Sequence, residues 1–595
     1  MLWPGQYIHA REQERCVMYK RHITIPRVSV LLCIISLTLL GTQLLNSAHT
    51  TKLHAANDKP AIGINLTGLS DYSGDFLFAD VMQEARGWGS AGTPWDSTAK
   101  IDENGWPTQD AGVVILSQPA NNESINGTYK LSFTGQATVS GVASDVKIQN
   151  QVYDANTNTT TADIMVGTNS QLDLGFTSTK RLPTDTVGTG ITNVKLMMPT
   201  SIGANVSYDP STTFTDQAKA EIDKFQAIRF MDFSATNGNT QVNWSDRRLP
   251  TYSSQASSGS KGGGAWEYAI QLCNETGKDA YINVPEMADN DYITQLANLF
   301  KYGSDANGKV YTSSQDNPVY APLKSSLHLY IEYSNEVWNF AYGFMQSQQN
   351  IEAVKNDIAN NTAELAVINY DNYYPGNGPD AKGDYLNQWQ LGYRHQAERI
   401  KETSDIFRTV FGDDAMMNQV RPLLEWQYGN ANDIANIELS FLDNYYNNAD
   451  GQQHSSAPHP VNYYLWGGGG AAYSGVKNAD AGTIDDIYNS GLDTSIVGGT
   501  VATDATFTKK YNLHDIAYEG GFNIGGDAPT DLQKQANLDS RAKQMEINAQ
   551  NTFTQSGGEL LMYFNSTGSS AYGLASPTVF DLSTPKLQAI DALNQ

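Results

Sequence analysis

Eight short apolar runs, separated by stretches of helical periodicity, constrain this chain more than any other feature. They are Ala61–Leu66, Ala227–Phe233, Asp279–Pro285, Leu327–Tyr333, Val420–Trp426, Val461–Trp466, Asp515–Tyr518 and Leu560–Phe564. Runs this short and this apolar suit strands covered on both faces. Helical patterns alternate with them, at 266–273, 292–300, 343–369 and 386–410. Eight such strand–helix units predict an α/β fold, a (β/α)8 TIM barrel. The active site of that architecture lies at the C-terminal ends of the strands.

One part of the chain has a different texture. From about residue 102 to 200 it is rich in Thr, Ser, Asn, Val and Gly. Short alternating runs recur there, such as Tyr129–Phe133, Ala162–Val166 and Val194–Met198. These predict antiparallel strands joined by polar turns. The expected organisation is a signal peptide and linker over 1–56, and the start of the barrel over 57–100, with a helix at Phe76–Met82. An inserted, sandwich-like all-β module covers 101–213, and the rest of the barrel covers 214–595.

Residues 28–45 are almost wholly apolar, follow Lys20, Arg21 and Arg27, and precede small residues at Ser47-Ala48 and Ala55-Ala56. That is the pattern of an export signal, so a secreted or periplasmic protein is expected. Cys16 and Cys33 fall in or before this segment. Cys273 is left alone in the remainder, with no disulfide partner there. The net charge of −25 excludes nucleic acid as a partner and disfavours an anionic membrane or a polyanionic glycan. The nine histidines form no zinc-spaced cluster, and Gly467–Gly470 lacks the Lys and Ser/Thr of a phosphate loop. No metal or cofactor is expected, nor a stable membrane partner once the signal is removed. A monomer is expected.

The chemistry is carried by Tyr330-Ile331-Glu332-Tyr333-Ser334-Asn335-Glu336-Val337-Trp338-Asn339. A strand here ends in an Asn-Glu pair with a Trp two residues on. A carboxylic acid in an apolar pocket beside an amide suits proton donation to a glycosidic oxygen. A second apolar run, Leu513 to Tyr518, ends in Glu519-Gly520-Gly521.

The first segment resembles the acid/base motif of the large clan of retaining glycoside hydrolases built on (β/α)8 barrels. Their Asn-Glu pair closes strand 4 and a second Glu closes strand 7, the two positions counted here. The resemblance implies Glu336 as acid/base, Glu519 as nucleophile, Asn335 as a ligand of the sugar 2-hydroxyl, and Arg229 beside the nucleophile. Glu425 is the rival nucleophile, ranked lower because it ends strand 5. Glu332 shares the pleat parity of Glu336 and needs a buried partner, for which Arg229 is the candidate. Tyr463 or Tyr464 is expected to hydrogen-bond Glu519. Trp338, Trp426 and Trp466 are candidate sugar platforms, and Glu286 and Asp232 candidate substrate contacts. Asn65, Asp71, Asn237, Trp244, Asp246 and Arg247 are further subsite candidates.

Two departures stand out. Many clan members have a His near the end of strand 3, where this chain has Glu286. Many also end strand 8 in Trp, where it has Tyr563-Phe564. The expectation is a retaining glycoside hydrolase cleaving a β-linked polysaccharide of β-glucan, cellulose or mannan type. A non-catalytic polysaccharide-binding barrel and a retaining arabinofuranosidase or transglycosylase are the alternatives.

Overall fold

The computed structural model describes residues 59–595 except 119–122, 143–145, 168–170, 257–261, 374–385 and 569–570. The signal-peptide segment lies outside the described residues. Lys59–Gln595 forms one compact unit.

Eight parallel strands close on themselves: β1 Ala61–Asn65, β2 Ala227–Arg229, β3 Asp279–Val284, β4 Leu329–Tyr333, β5 Val420–Glu425, β6 Gly467–Gly469, β7 His514–Phe522 and β8 Leu560–Tyr563. Each pairs in parallel with its neighbours, and β8 returns to β1 through Ala61 opposite Leu560. This is a closed (β/α)8 barrel. Helices such as Trp266–Thr276, Asn290–Tyr302 and Leu386–Phe411 pack their apolar faces on the outside.

Strand 6 departs from the sequence reading. Val461–Tyr464 is a turn of helix, and the strand is the glycine run that follows it. Packing explains this choice. A Cβ on Gly468 would lie 2.2 Å from the Leu424 carbonyl oxygen, and one on Gly469 1.9 Å from that of Ile516. Only glycine lets this strand approach both neighbours, so the apolar-run rule misses it. The helix expected over Phe76–Met82 is also absent, and a single 3-10 turn, Val81–Glu84, stands there. Phe76 has φ 40°, outside the helical region. The apolar residues of this segment divide between two cores. Phe78 packs with Phe214 in the barrel, and Phe76, Val81 and Met82 pack with the β-rich region.

That region contains two antiparallel sheets. One has the order Ala111–Ser117, Gln171–Lys180, Gln136–Gly141. The other runs Val146–Asp154, Thr159–Val166, Gly127–Thr134, Thr192–Met197. Alternation buries Leu131, Phe133 and Ile164 from one and Val113, Leu174 and Phe176 from the other in a shared core. Phe133 meets Phe176 edge to face at 5.5 Å across the gap.

Many carboxyls are buried so deeply that desolvation outweighs any nearby cation. Burial pushes Glu221, Glu286 and Glu398 up to about 8, and Asp75, Asp504 and Glu546 up to about 7. Each keeps its proton in the folded chain at a pH where the unfolded chain has released it. The resulting stabilisation is full below the ordinary values of 4.5 and 3.8 and is lost as pH rises through 7 to 8. His395 acts oppositely, since burial drops it to about 3, but its effect ends above 6.5. The melting temperature is therefore expected to fall between about pH 6.5 and about pH 8.5. Calorimetry across that range, at constant ionic strength, checks it.

Candidate active site

The β4 end sets the first carboxyl. Ser334 has φ 62° and Glu336 φ 42°, the left-handed region that non-glycine residues avoid. Such conformations cost about 1–3 kcal/mol each and persist only when neighbours fix them. Here Asn283 donates to the Ser334 carbonyl at 2.8 Å, and Gln346 to the Asn335 carbonyl at 2.7 Å. Ser347 donates to the Glu336 carbonyl at 3.2 Å. The clamped turn aims the Glu336 carboxyl into the barrel mouth. There Oε1 accepts from the Tyr518 hydroxyl and Oε2 from the Asn339 amide, both at 2.8 Å.

The β7 end sets the second. Successive strand residues point to opposite faces, so Tyr518 and Glu519 would ordinarily diverge. The β7–β8 register slips between Ala517 and Gly520, which is a bulge. The bulge turns both side chains inward. Glu519 Oε1 accepts from Arg229 Nη1 at 2.9 Å and Oε2 from the Tyr473 hydroxyl at 2.8 Å.

Arg229 joins the two strand ends and is fully buried. Its Nε and Nη2 donate to Glu332 Oε2 at 3.2 and 2.8 Å. Nη1 donates to Asn65 Oδ1 at 3.0 Å and to Glu519, and Nη2 to Asn335 Oδ1 at 2.9 Å. A guanidinium has five N–H donors, and all are used. The rings of Tyr281 and Tyr518 lie 5.2 and 5.3 Å from its centre. With its oxygen given to Arg229, Asn335 donates its Nδ2 to Asn237 at 3.0 Å.

Burial, first of all, pushes Glu519 up to about 8; Arg229 opposes this, Glu336 adds to it, and Tyr473 opposes it. Both partners of the carboxyl donate, which matches the carboxylate form, so the salt bridge and the burial pull in opposite directions. The positive charge in direct contact, Arg229, touches Glu519 and not Glu336. Burial also holds Tyr473 and Tyr518 well above the usual phenol value, so both remain donors.

The other sequence candidates fall elsewhere. Glu425 is inside the barrel below the mouth, takes the Tyr281 hydroxyl at 3.3 Å, and is pushed well up by burial and by Glu332. Glu286 is buried beside Ser334 and Arg399. Asp232 is half-buried, and burial raises it to about 6 against Arg229. Trp338 stays near the pair, edge-on to Tyr518 at 6.2 Å. Trp426 is not a platform: it is fully buried and donates to Asp504 at 3.0 Å, because strand alternation turns it outward when Glu425 turns in. Trp466 stacks at 3.9 Å on His514, the first residue of β7, at the opposite end of the barrel. Tyr463 and Tyr464 sit at that end too, with the Tyr463 ring against His459 and Arg408. The misplaced strand 6 accounts for all three. Asp71 pairs with Arg86, Arg247 with Glu267 over Trp244, and Asp246 caps its own turn.

Tyr473 and Tyr518 were not among the sequence candidates. Tyr518 precedes Glu519 directly, but its inward turn depends on the bulge. Tyr473 follows the glycine strand, which carries no apolar signal. Phe564, after β8, forms an aromatic group with Tyr473 and Tyr572 at 6.4 and 5.6 Å.

Comparison with protein-family profiles and with curated proteins finds no match. Solved structures give matches at low identity. They include the α-L-arabinofuranosidase of Thermotoga maritima (11% identity, 64% of this chain and 63% of that one, TM-score 0.33). Others are a Cellulomonas fimi endo-β-1,4-mannanase (8%, 62% and 62%, 0.29) and a family 1 β-glucosidase of Thermotoga maritima (11%, 64% and 85%, 0.31). The matched region spans under two thirds of the first two neighbours.

Removing Arg229 leaves Glu332 and Glu519 buried without their counter-charge. Arg229→Met is expected to lower the unfolding free energy by about 3–5 kcal/mol. The double variant Arg229→Met/Glu332→Leu is expected to regain part of it. Urea denaturation of the three proteins checks both outcomes.

Proposed function

We propose that this protein is a retaining glycoside hydrolase that cleaves a β-linked polysaccharide of β-glucan, cellulose or mannan type. The observation that carries the reading is the pair Glu336 and Glu519 at one barrel mouth, tied through Tyr518, with a guanidinium on only one of them. Glu519, held by Arg229 and Tyr473, is the nucleophile. It attacks the anomeric carbon while Glu336 gives its proton to the leaving oxygen. Water then attacks the glycosyl-enzyme, with Glu336 accepting its proton. Asn335, its side chain fixed by Arg229 and Asn237, is placed for a sugar hydroxyl. The apolar segment at 28–45 supports export, so the enzyme acts outside the cytoplasm.

Wild type is expected to release reducing ends from a glucan or mannan panel, and Glu336→Ala and Glu519→Ala to lose about a thousandfold or more. Azide separates the roles. Glu519→Ala with azide is expected to yield the α-glycosyl azide, and Glu336→Ala the β-glycosyl azide. Proton NMR of the products reads the configuration. The same azide anomer from both variants, or no cleavage of any glycan by wild type, removes the assignment.

Tyr473 favours the ionised form of Glu519, so losing its hydroxyl raises the pKa of that carboxyl. Tyr473→Phe is expected to move the acid limb of the kcat/KM profile to higher pH and to reduce kcat by about tenfold or more. Profiles of both proteins on one substrate check the direction.

A further inference from the structure

The conformation of a residue is set by the two peptide planes that meet at its Cα. At Glu336 one plane carries the Asn335 carbonyl and the other the Glu336 carbonyl. Adjacent residues of a single helix, Met345–Asn360, hold both. Gln346 donates to the Asn335 carbonyl at 2.7 Å, and Ser347 to the Glu336 carbonyl at 3.2 Å. Pinning the first plane fixes φ and pinning the second fixes ψ. Here φ is 42°, in a region that neighbours must enforce on a non-glycine residue. The helix begins without a side-chain cap, so the polar groups of its first turn serve the neighbouring loops.

Gln346 holds more than this one carbonyl. Its amide also donates to Asn237 Oδ1 at 2.6 Å and accepts from the Gly238 N–H at 3.2 Å. Both amide hydrogens and the oxygen are thereby used, and the side chain is fully buried, out of reach of a substrate. Asn237 and Gly238 belong to the loop after β2. Asn237 Oδ1 also accepts from Asn335 Nδ2 at 3.0 Å, which closes a ring of three residues from three separate segments. Gln349 donates to the Asn239 carbonyl at 3.1 Å, so it joins the same helix to the same loop at a different point. Glu519 has other holders, Arg229 and Tyr473, neither of them on this helix. The ring therefore bears directly on Glu336.

We propose that Gln346 is a positioning residue for the acid/base: it makes the loop after β2 and the Glu336 turn one body, and so governs proton donation to the leaving group. The inference rests on the reading of Glu336 as acid/base and adds what keeps that carboxyl in place. Moving a reacting group by about 1 Å can cost on the order of a hundredfold in rate. The loss falls only where proton donation matters. A poor leaving group needs the acid, whereas a good one departs as a stable anion without it. A defect that merely loosens the fold makes no such distinction.

The test compares phenyl with 2,4-dinitrophenyl β-cellobioside, and the same pair of β-mannobiosides. Gln346→Met is expected to lower kcat/KM for the phenyl donor by about tenfold or more, and to leave that for the dinitrophenyl donor within about threefold of wild type. Gln346→Asn keeps the amide but shortens its reach by one methylene. It is expected to move the ratio the same way, so the test survives a Met variant that does not fold. Gln349→Met is expected to leave the ratio unchanged. Circular dichroism of the three variants verifies folding. Equal losses on both donors, no loss on either, or an equal shift of the ratio in Gln349→Met overturns this inference and leaves the hydrolase standing. No release by wild type from any donor or from the polysaccharide panel overturns both.

Discussion

The site depends on the burial of one guanidinium with every donor satisfied. Arg229 lies inside the barrel, fully buried from solvent, so each unused N–H would be costly. Its five bonds reach four acceptors: Asn65 on β1, Glu332 on β4, Asn335 just after it, and Glu519 on β7. Residues far apart in sequence are thus held to one planar fork. Lysine, with three donors on a flexible stem, cannot reproduce this geometry. The neighbours are fixed in turn: Asn283 shares Glu332, and Gln346 shares Asn237 with Asn335.

The same arrangement explains how carboxyls coexist in a small volume. Glu332 and Glu519 flank one positive charge, and Glu336 lies beyond it with neutral donors only. Asymmetry of this kind lets two chemically identical side chains take different parts in a reaction. Two local distortions bring the pair into position, a left-handed turn at Glu336 and a bulge at Tyr518-Glu519. Both lie where regular strand geometry would have aimed the carboxyls elsewhere.

Much of this was legible from residue order alone. The barrel was, because its parallel strands are covered on both faces and leave uninterrupted apolar runs. Glu336 and Asn335 were singled out by the strand 4 motif, and Glu519 and Arg229 by the resemblance taken together with strand order. The sixth strand was not legible. Its glycines bury backbone rather than side chain, and the adjacent Val461–Trp466 run imitated a strand. Tyr463, Tyr464 and Trp466 were misplaced with it, and Tyr473 went unnoticed. Trp426 was misjudged for another reason: a residue at a strand end faces in or out by parity, and Glu425 takes the inward place. Register slips such as the β7 bulge leave no mark in composition.

The connection between β1 and β2 has a consequence of its own. Residues 66–226, with both antiparallel sheets, lie between two strands that are hydrogen-bonded neighbours. The other neighbour of β1 is β8, formed close to the end of the described chain. During synthesis β1 therefore emerges early and keeps both edges unpaired while the β-rich region can already fold on local contacts. The ring of strands shuts only when Leu560–Tyr563 arrives. Asn65, which donates to the carbonyls of Tyr518, Met562 and Tyr563, is then locked in place, and Arg229 gains one of its acceptors. Ring closure and assembly of the reaction centre are thus one late event, and a chain halted before β8 holds both glutamates without a finished site.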